Sequence, residues 1–275
     1  MSRASQPVST VRESIRVLMR HRELTLEMAR RELSERYAGQ ALGLVWAVGH
    51  PMFMIGLYIF LFAVVFKQRI GGTVDLPLDY TAYLLSGLVA WLSVQESLIK
   101  SCTVVTSNAS LVKQVVFPVE ILPVKSVLVS LFPQLVSLSI LLVYVLASHG
   151  SLHATYLLLP VLIFVQMLWM IGLAYILAPI GVYFRDLKDV MQLFATAGAY
   201  VVPVFYLPAW VPGPIRPVLY LNPFSYLIWT YQDVLYFGRM EHPWAWAATA
   251  AFSLSTFAMG YRLFGKLRPT LGNHL

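Results

Sequence analysis

The chain has 275 residues, 58% hydrophobic and only 12% charged, with a mean hydropathy of +0.69. Soluble domains carry roughly 25% charged residues, so the composition excludes an ordinary soluble protein and predicts one polytopic membrane domain over 1–275. The formal net charge of +7 does not read as nucleic-acid binding. The basic residues flank apolar runs, where they report orientation and attraction to anionic lipid. The single cysteine, Cys102, excludes an intrachain disulfide.

Residues 1–40 are polar and contain Arg3, Arg12, Arg16, Arg20, Arg22, Arg30, Arg31 and Arg36. The first apolar run is too long for a signal-peptide core, so no cleavable signal is expected. Leu26, Ala29, Leu33 and Tyr37 recur on one helical face, with Arg31, Glu32, Glu35 and Arg36 opposite. That spacing predicts an N-terminal amphipathic helix lying at the membrane interface. From Ala41 to Phe66 there is no formal charge, enough for a first span, since about 20 apolar residues cross a bilayer. A loop with Gly71, Gly72 and Pro77 leads to a second span from about Tyr80 to Ile99. Near its end, Glu96 and Lys100 stand in the favourable i, i+4 order. They read as a structural anchor or, because intramembrane acids are functional by default, as an ion-coupling site.

A polar connection over 101–118 precedes a third span, about Ile121 to Ala147, expected to be broken by Pro123 and Pro133. His149 and His153 share a short turn with no third ligand near, so no metal is expected. The fourth span runs from about Tyr156 to Tyr183, and Arg185 to Asp189 forms a compact charged knot. The fifth apolar run, Val190 to Leu207, meets Pro208, Pro212, Gly213, Pro214 and Pro217. So many prolines forbid one regular helix. Irregular backbone at membrane depth survives only where it packs in protein or lines a cavity. A pair of re-entrant helices is therefore expected, bent at 211–214, with Pro203, Pro212, Gly213 and Pro214 forming an outer gate. An amphipathic stretch reaches Gly238, and the sixth span is about Trp244 to Phe264.

The expected fold is thus all-α, with six transmembrane helices: an interface segment over 1–40, a membrane domain over 41–264 and a tail over 265–275. Six spans put both termini on one side. That side then holds 16 of the 20 Lys and Arg, and the other holds Lys67, Arg69, Arg216 and Arg239. The positive-inside rule makes the termini cytoplasmic.

No catalytic motif appears. Gly260 to Lys266 matches the opening of a P-loop, but Leu267 stands where Ser or Thr would hold magnesium. The chain therefore reads as a transporter subunit and not an enzyme. An ion-coupled secondary transporter, with Glu96 or Asp233 titrating, and a membrane-embedded glycan enzyme stay open on composition alone.

Arg36-Tyr37, Leu42-Gly43, Trp46 and Pro51 resemble the RY…LG..W…P opening of type-2 ABC exporter permeases. Asn108, Leu111, Val112 and Lys113, leading to Phe117-Pro118 and Ile121-Leu122-Pro123, are similar too. So are Tyr183-Phe184-Arg185-Asp186, Pro203, Tyr206 and Asn222-Pro223, in the same order. The polysaccharide branch, which exports O-antigen, capsule or teichoic acid, looks nearest, although Gln232-Asp233 stands where many members place an arginine. The same fold also serves drug and lipid export.

The resemblance implies a homodimer in a bacterial cytoplasmic (inner) membrane, moving a lipid-linked polysaccharide. ATP and magnesium would sit on two separate ATPase subunits. Asn108, Leu111 and Lys113, with Arg185, Asp186, Leu187 and Lys188, would touch that ATPase. Tyr37, Trp46, Tyr58, Tyr80, Trp91 and Tyr206 are the aromatic candidates for the substrate pathway.

Overall fold

A computed structural model describes residues 16, 18–40, 43, 45–65, 77–114 and 118–274. Arg3, Arg12, Leu42, the loop over 66–76 and residues 115–117 lie outside the described residues. All regular structure among the described residues is helical. In chain order it comprises α1 (Arg22–Arg36), α2 (Val45–Ile59, continued by a π turn over Phe60–Val65), α3 (Tyr80–Thr103) and the short α4 (Ala109–Gln114). Next come α5 (Ile121–His149), α6 (Leu159–Tyr183, led in by the 3-10 turn Ala154–Leu158) and α7 (Leu187–Val201). Then follow the 3-10 turn Pro208–Trp210, α8 (Pro217–Leu221), α9 (Pro223–Gln232, ending in a π turn over Asp233–Phe237) and α10 (Pro243–His274).

Among the described residues, four helical segments are both long and apolar enough to cross a membrane: Val45–Val65, Tyr80–Thr103, Ile121–His149 and Ala154–Tyr183. α10 has the length, at 32 residues, but is less apolar. α7, at 15 residues, is about 22 Å long, short of the roughly 30 Å hydrocarbon core.

α3 is the hub, packed against α5, α6, α7 and α9. It is the least apolar of the four segments, at mean hydropathy 1.3 against 2.0 for α2, yet 78% of its most apolar window is buried against 11% for α2. Buried Ser86, Ser93, Ser97 and Ser101 let neighbouring helices approach closely. α6 and α10 also cross closely. A Cβ on Gly172 would stand 2.5 Å from the Phe257 backbone nitrogen, and one on Gly260 would strike the Gly172 carbonyl oxygen.

Three local readings change. α5 is unbroken: Pro123 lies in its first turn and Pro133 is carried inside a continuous helix. Neighbouring helices and local adjustment make such prolines tolerable in membrane helices. The fifth helix begins at Leu187 and stops at Val201, so the charged knot runs into its first turn. The stretch after Asn222 is no surface amphipath. In α9, Phe224, Ser225 and the whole run from Leu227 to Gln232 are buried. Asn222 starts it by accepting the Phe224 N–H at 3.0 Å, with Pro223 at the first helical position, where its missing N–H costs nothing.

α1 lies on α5, rotated from the predicted face. Thr25 and Ala29 are buried, while Leu26 is 58% exposed. Glu32 and Arg36 continue the Thr25–Ala29 row, and both are held by charge. Glu32 Oε2 takes Lys125 Nζ at 2.7 Å. Glu96 Oε1 takes Arg36 Nη1 at 2.6 Å and Lys100 Nζ at 3.0 Å. Lys100 Nζ stands 3.9 Å from Glu32 Oε1. Burial opposes the charge on Arg36, but Glu96 beside it holds the guanidinium pKa above its ordinary value. This network staples α1 to α3 and α5, and it outranks the apolar stripe because Lys125 is only 4% exposed. A buried ammonium without a carboxylate is costly.

Two tests follow from this packing. Gly172→Val should force α6 from α10 and cost about 1–3 kcal/mol, read as a lowered Tm of the detergent-purified protein. Glu32→Gln strands Lys125 and should cost about 3–5 kcal/mol. The double variant Glu32→Gln/Lys125→Met should recover most of that loss, and an unchanged Tm in the single variant would show that the network holds nothing.

Candidate functional site

Helix connectivity divides the molecule into two ends. One holds α1, the C-terminal end of α3, α4, the start of α5, the α6–α7 junction and the C-terminal end of α10. The other holds the start of α3, residues 202–222, the π turn Asp233–Phe237 and the start of α10.

At the α1 end, the two predicted coupling stretches emerge side by side. A Cβ on Gly181 would strike the Cys102 carbonyl oxygen, so the last turn of α6 lies directly on the last turn of α3. Tyr183 to Asp186 leaves from one partner and Thr106–Asn108 from the other. Arg185, Asp186 and Lys188 are exposed and Leu187 is half-buried. Asp186 holds the N-cap position of α7, yet its side chain makes no capping hydrogen bond. Asn108 folds back onto the end of α3, its Nδ2 donating to Val104 O at 2.7 Å. Leu111 is half-buried and Lys113 exposed. The α10 end is tied in by the Arg268–Glu120 ion pair.

Beside α1 opens a cavity of about 580 Å³, walled by α2, α3 and α5 and lined by Arg36, Tyr37, His50, Tyr58, Glu96 and Lys100, among others. Of the aromatic candidates, Tyr37 and Tyr58 line this space, with the Arg36 guanidinium 5.7 Å over the Tyr37 ring centroid. Trp46 is an exposed residue on the outer face of α2. Trp91 does not line the cavity: it is 1% exposed, its indole donates to Ala195 O at 3.1 Å, and its ring meets Phe224 edge-on. Tyr80 is buried at the far end, stacked on Trp210 at 6.2 Å.

The far end is where the backbone departs from helix, and its carbonyls are taken one by one. The Tyr206 hydroxyl donates to Tyr200 O at 3.0 Å and Val201 O at 2.9 Å, closing the end of α7. Gln232 Nε2 donates to Pro203 O at 2.7 Å. The Tyr80 hydroxyl donates to Phe205 O at 2.5 Å, and that of Tyr83 to Tyr206 O at 3.1 Å. Beyond them the chain turns at 213–216, with Pro212, Gly213 and Pro214 all exposed and Arg216 Nη2 on Val211 O at 3.2 Å. Tyr206 thus has a structural partner for its hydroxyl and a half-buried ring.

Two acids weighed for ion coupling are both engaged. Glu96 belongs to the ion-pair network. Asp233, 1% exposed, accepts from the His242 backbone N–H at 3.0 Å and from Trp246 Nε1 at 3.0 Å, and its Oδ1 lies 2.8 Å from His242 Nδ1. The sequence reading missed Tyr83, Gln232 and a buried polar cluster. In that cluster Gln134 Nε2 donates to Gln166 Oε1 and to the Tyr231 hydroxyl, each at 2.9 Å, joining α5, α6 and α9. Two glutamines inside apolar runs were a legible signal, because a polar side chain in a span wants a partner. The P-loop-like Gly260–Lys266 lies within α10, whose backbone amides are spent on the helix and cannot cradle a phosphate.

The model of the ABC-2 type transporter family matches residues 23–236. An O-antigen export system permease protein of Myxococcus xanthus is 29% identical over 243 residues, covering 87% of this chain and 90% of that protein. A protein of the same description from Klebsiella pneumoniae is 23% identical over 247 residues, covering 90% and 92%. With a family match across most of its length, this chain belongs to the ABC-2 type transporter family.

Proposed function

We propose that the chain is the membrane subunit of an ATP-driven exporter that moves a lipid-linked polysaccharide, of O-antigen, capsular or teichoic acid type, out across the bacterial cytoplasmic membrane. The observation that carries the substrate class is the near full-length similarity to O-antigen export permeases. The positive-inside count favours the α1 end as cytoplasmic. α7 and α10 then complete six passages, with re-entrant segments between them, bent at 213–216.

A homodimer is the reading best supported by the exposed helices. α2 carries exposed Val45, Trp46, Met52, Phe53, Phe60 and Leu61. α7 likewise exposes Val190, Leu193, Phe194 and Tyr200. Two copies apposed through these faces would enclose a passage between them. Two ATPase subunits would bind the cytoplasmic end at Asn108, Leu111 and Lys113 and at Arg185, Asp186, Leu187 and Lys188. The cavity lined by Tyr37 and Tyr58 would receive the substrate's carrier end. Pro203, Pro212, Gly213 and Pro214 would shape the outer gate. ATP and magnesium would be held by the ATPase, and this chain would supply no catalytic group.

Export in a strain lacking the chromosomal copy tests the reading. The wild-type chain with its ATPase should restore surface polysaccharide; its absence from the surface, with both proteins in the membrane, would reject the function. Arg185→Ala or Asp186→Ala should lower export at least about fivefold, the small end of typical coupling energies, with unchanged membrane levels, since neither side chain holds the fold. Normal export in both would make the turn an ordinary loop. The purified chain by itself should hydrolyse no ATP, and turnover in a preparation free of other ATPases would contradict the division of labour.

A further inference from the structure

We infer that Tyr83, assisted by Tyr80 and Gln232, is a releasable latch on the 203–206 turn, a positioning role in transport that rests on reading this region as the outer gate. The turn is poor in bonds of its own. Pro203 has no N–H, and the backbone contact within it is Val204 N–H to Val202 O at 2.7 Å. It is held instead by three side chains from two other helices. Tyr80 and Tyr83 come from α3, Gln232 from α9, and between them they take the carbonyls of Pro203, Phe205 and Tyr206. The Tyr83 hydroxyl also stands 3.4 Å from Pro203 O.

The fit is close. Gly87, one turn along α3 from Tyr83, brings its backbone against the turn, where a Cβ would lie 3.4 Å from Val204 Cα and 3.4 Å from Gln232 Nε2. The apolar part of the Tyr83 ring is anchored separately, edge-on to Tyr236 at 5.2 Å. Polar atoms hold the carbonyls of the turn, while Val202 and Val204 seat their side chains in the core. Water can replace the polar bonds, and opening the turn then withdraws the two valines. Tyr80, Tyr83 and Gln232 therefore decide how often Val204 leaves the core.

α3 is also the element that can work the latch. Its first residues carry the two tyrosines. Its last two turns carry Glu96 and Lys100, tied to α1, and run on into the Thr106–Asn108 stretch beside the α6–α7 turn. A small displacement of this single 24-residue helix at the α1 end moves the hydroxyls at the other.

The test uses the complete exporter, with its ATPase, in vesicles without nucleotide. Cysteine is placed at Val204, which is 0% exposed, and native Cys102 is itself buried. An impermeant thiol reagent is added on the far side. Tyr83→Phe keeps the ring and removes one donor. It should raise the labelling rate of Val204→Cys about fivefold, the effect of one lost hydrogen bond on an opening equilibrium. Gln232→Leu should do the same independently, and Tyr80→Phe/Tyr83→Phe should exceed either. Labelling unchanged in all of them, or a lowered Tm without faster labelling, overturns the latch and leaves these residues as structural supports. Passive leak of a small dye is read in the same vesicles. Faster labelling with leak supports both latch and gate. Faster labelling in tight vesicles supports the latch and removes the gate reading.

Discussion

A peptide group removed from water must find a partner, and in a bilayer an unsatisfied one costs several kcal/mol. The architecture of the far end follows from that. Proline at 203, 208, 212, 214 and 217 removes donors and stops helices, freeing the carbonyls from Tyr200 to Val211. Tyrosine hydroxyls, one glutamine amide and one guanidinium take up those of Tyr200, Val201, Pro203, Phe205, Tyr206 and Val211, while backbone N–H groups take those of Val202, Leu207 and Pro208. Tyr206 closes α7, Tyr80, Tyr83 and Gln232 hold the turn, and Arg216 holds Val211. The hydroxyl of Tyr226 takes the Tyr220 carbonyl at 2.5 Å in the same way. Tyrosine suits this work because its ring packs as an apolar body while its tip donates.

The rest of the molecule supports that end. α3 is the least apolar of the four long segments and the most buried, because a helix surrounded by helices needs small and polar contacts more than hydrophobicity. α2 is among the more apolar and nearly bare, as expected of a surface meant for lipid or a second copy. α9 is pinned by three successive residues, each to a different neighbour. Tyr231 joins Gln134 and Gln166, Gln232 joins the 203–206 turn, and Asp233 joins His242 and Trp246. The far end is therefore referenced to the core through α9 and through the buried side chains of Val202 and Val204.

At the α1 end charge does the work that tyrosine does at the far end. Three cations and two carboxylates, Arg36, Lys100, Lys125, Glu32 and Glu96, fix an otherwise peripheral helix. The exposed Arg185–Asp186 turn lies outside this network, so its charges are free to meet a partner without loss to the fold.

Much of this was legible in order along the chain. Apolar runs fixed where the long helices lie, because about 20 such residues have no other stable home. The proline cluster foretold broken backbone. Local signals failed where long-range partners decide. Hydrophobic spacing put Leu26 on the packed face of α1, yet Lys125, some hundred residues on, drew Glu32 inward and turned the helix. Aromatic content made Trp91 and Tyr80 equal candidates with Tyr37 and Tyr58 for a substrate path. Only packing separated the first pair, in the core, from the second, on a cavity wall. Sequence alone set which segments leave water, since that is an additive property of local composition. Which carbonyl each tyrosine serves was decided by tertiary structure, since a hydrogen bond depends on where two distant atoms meet.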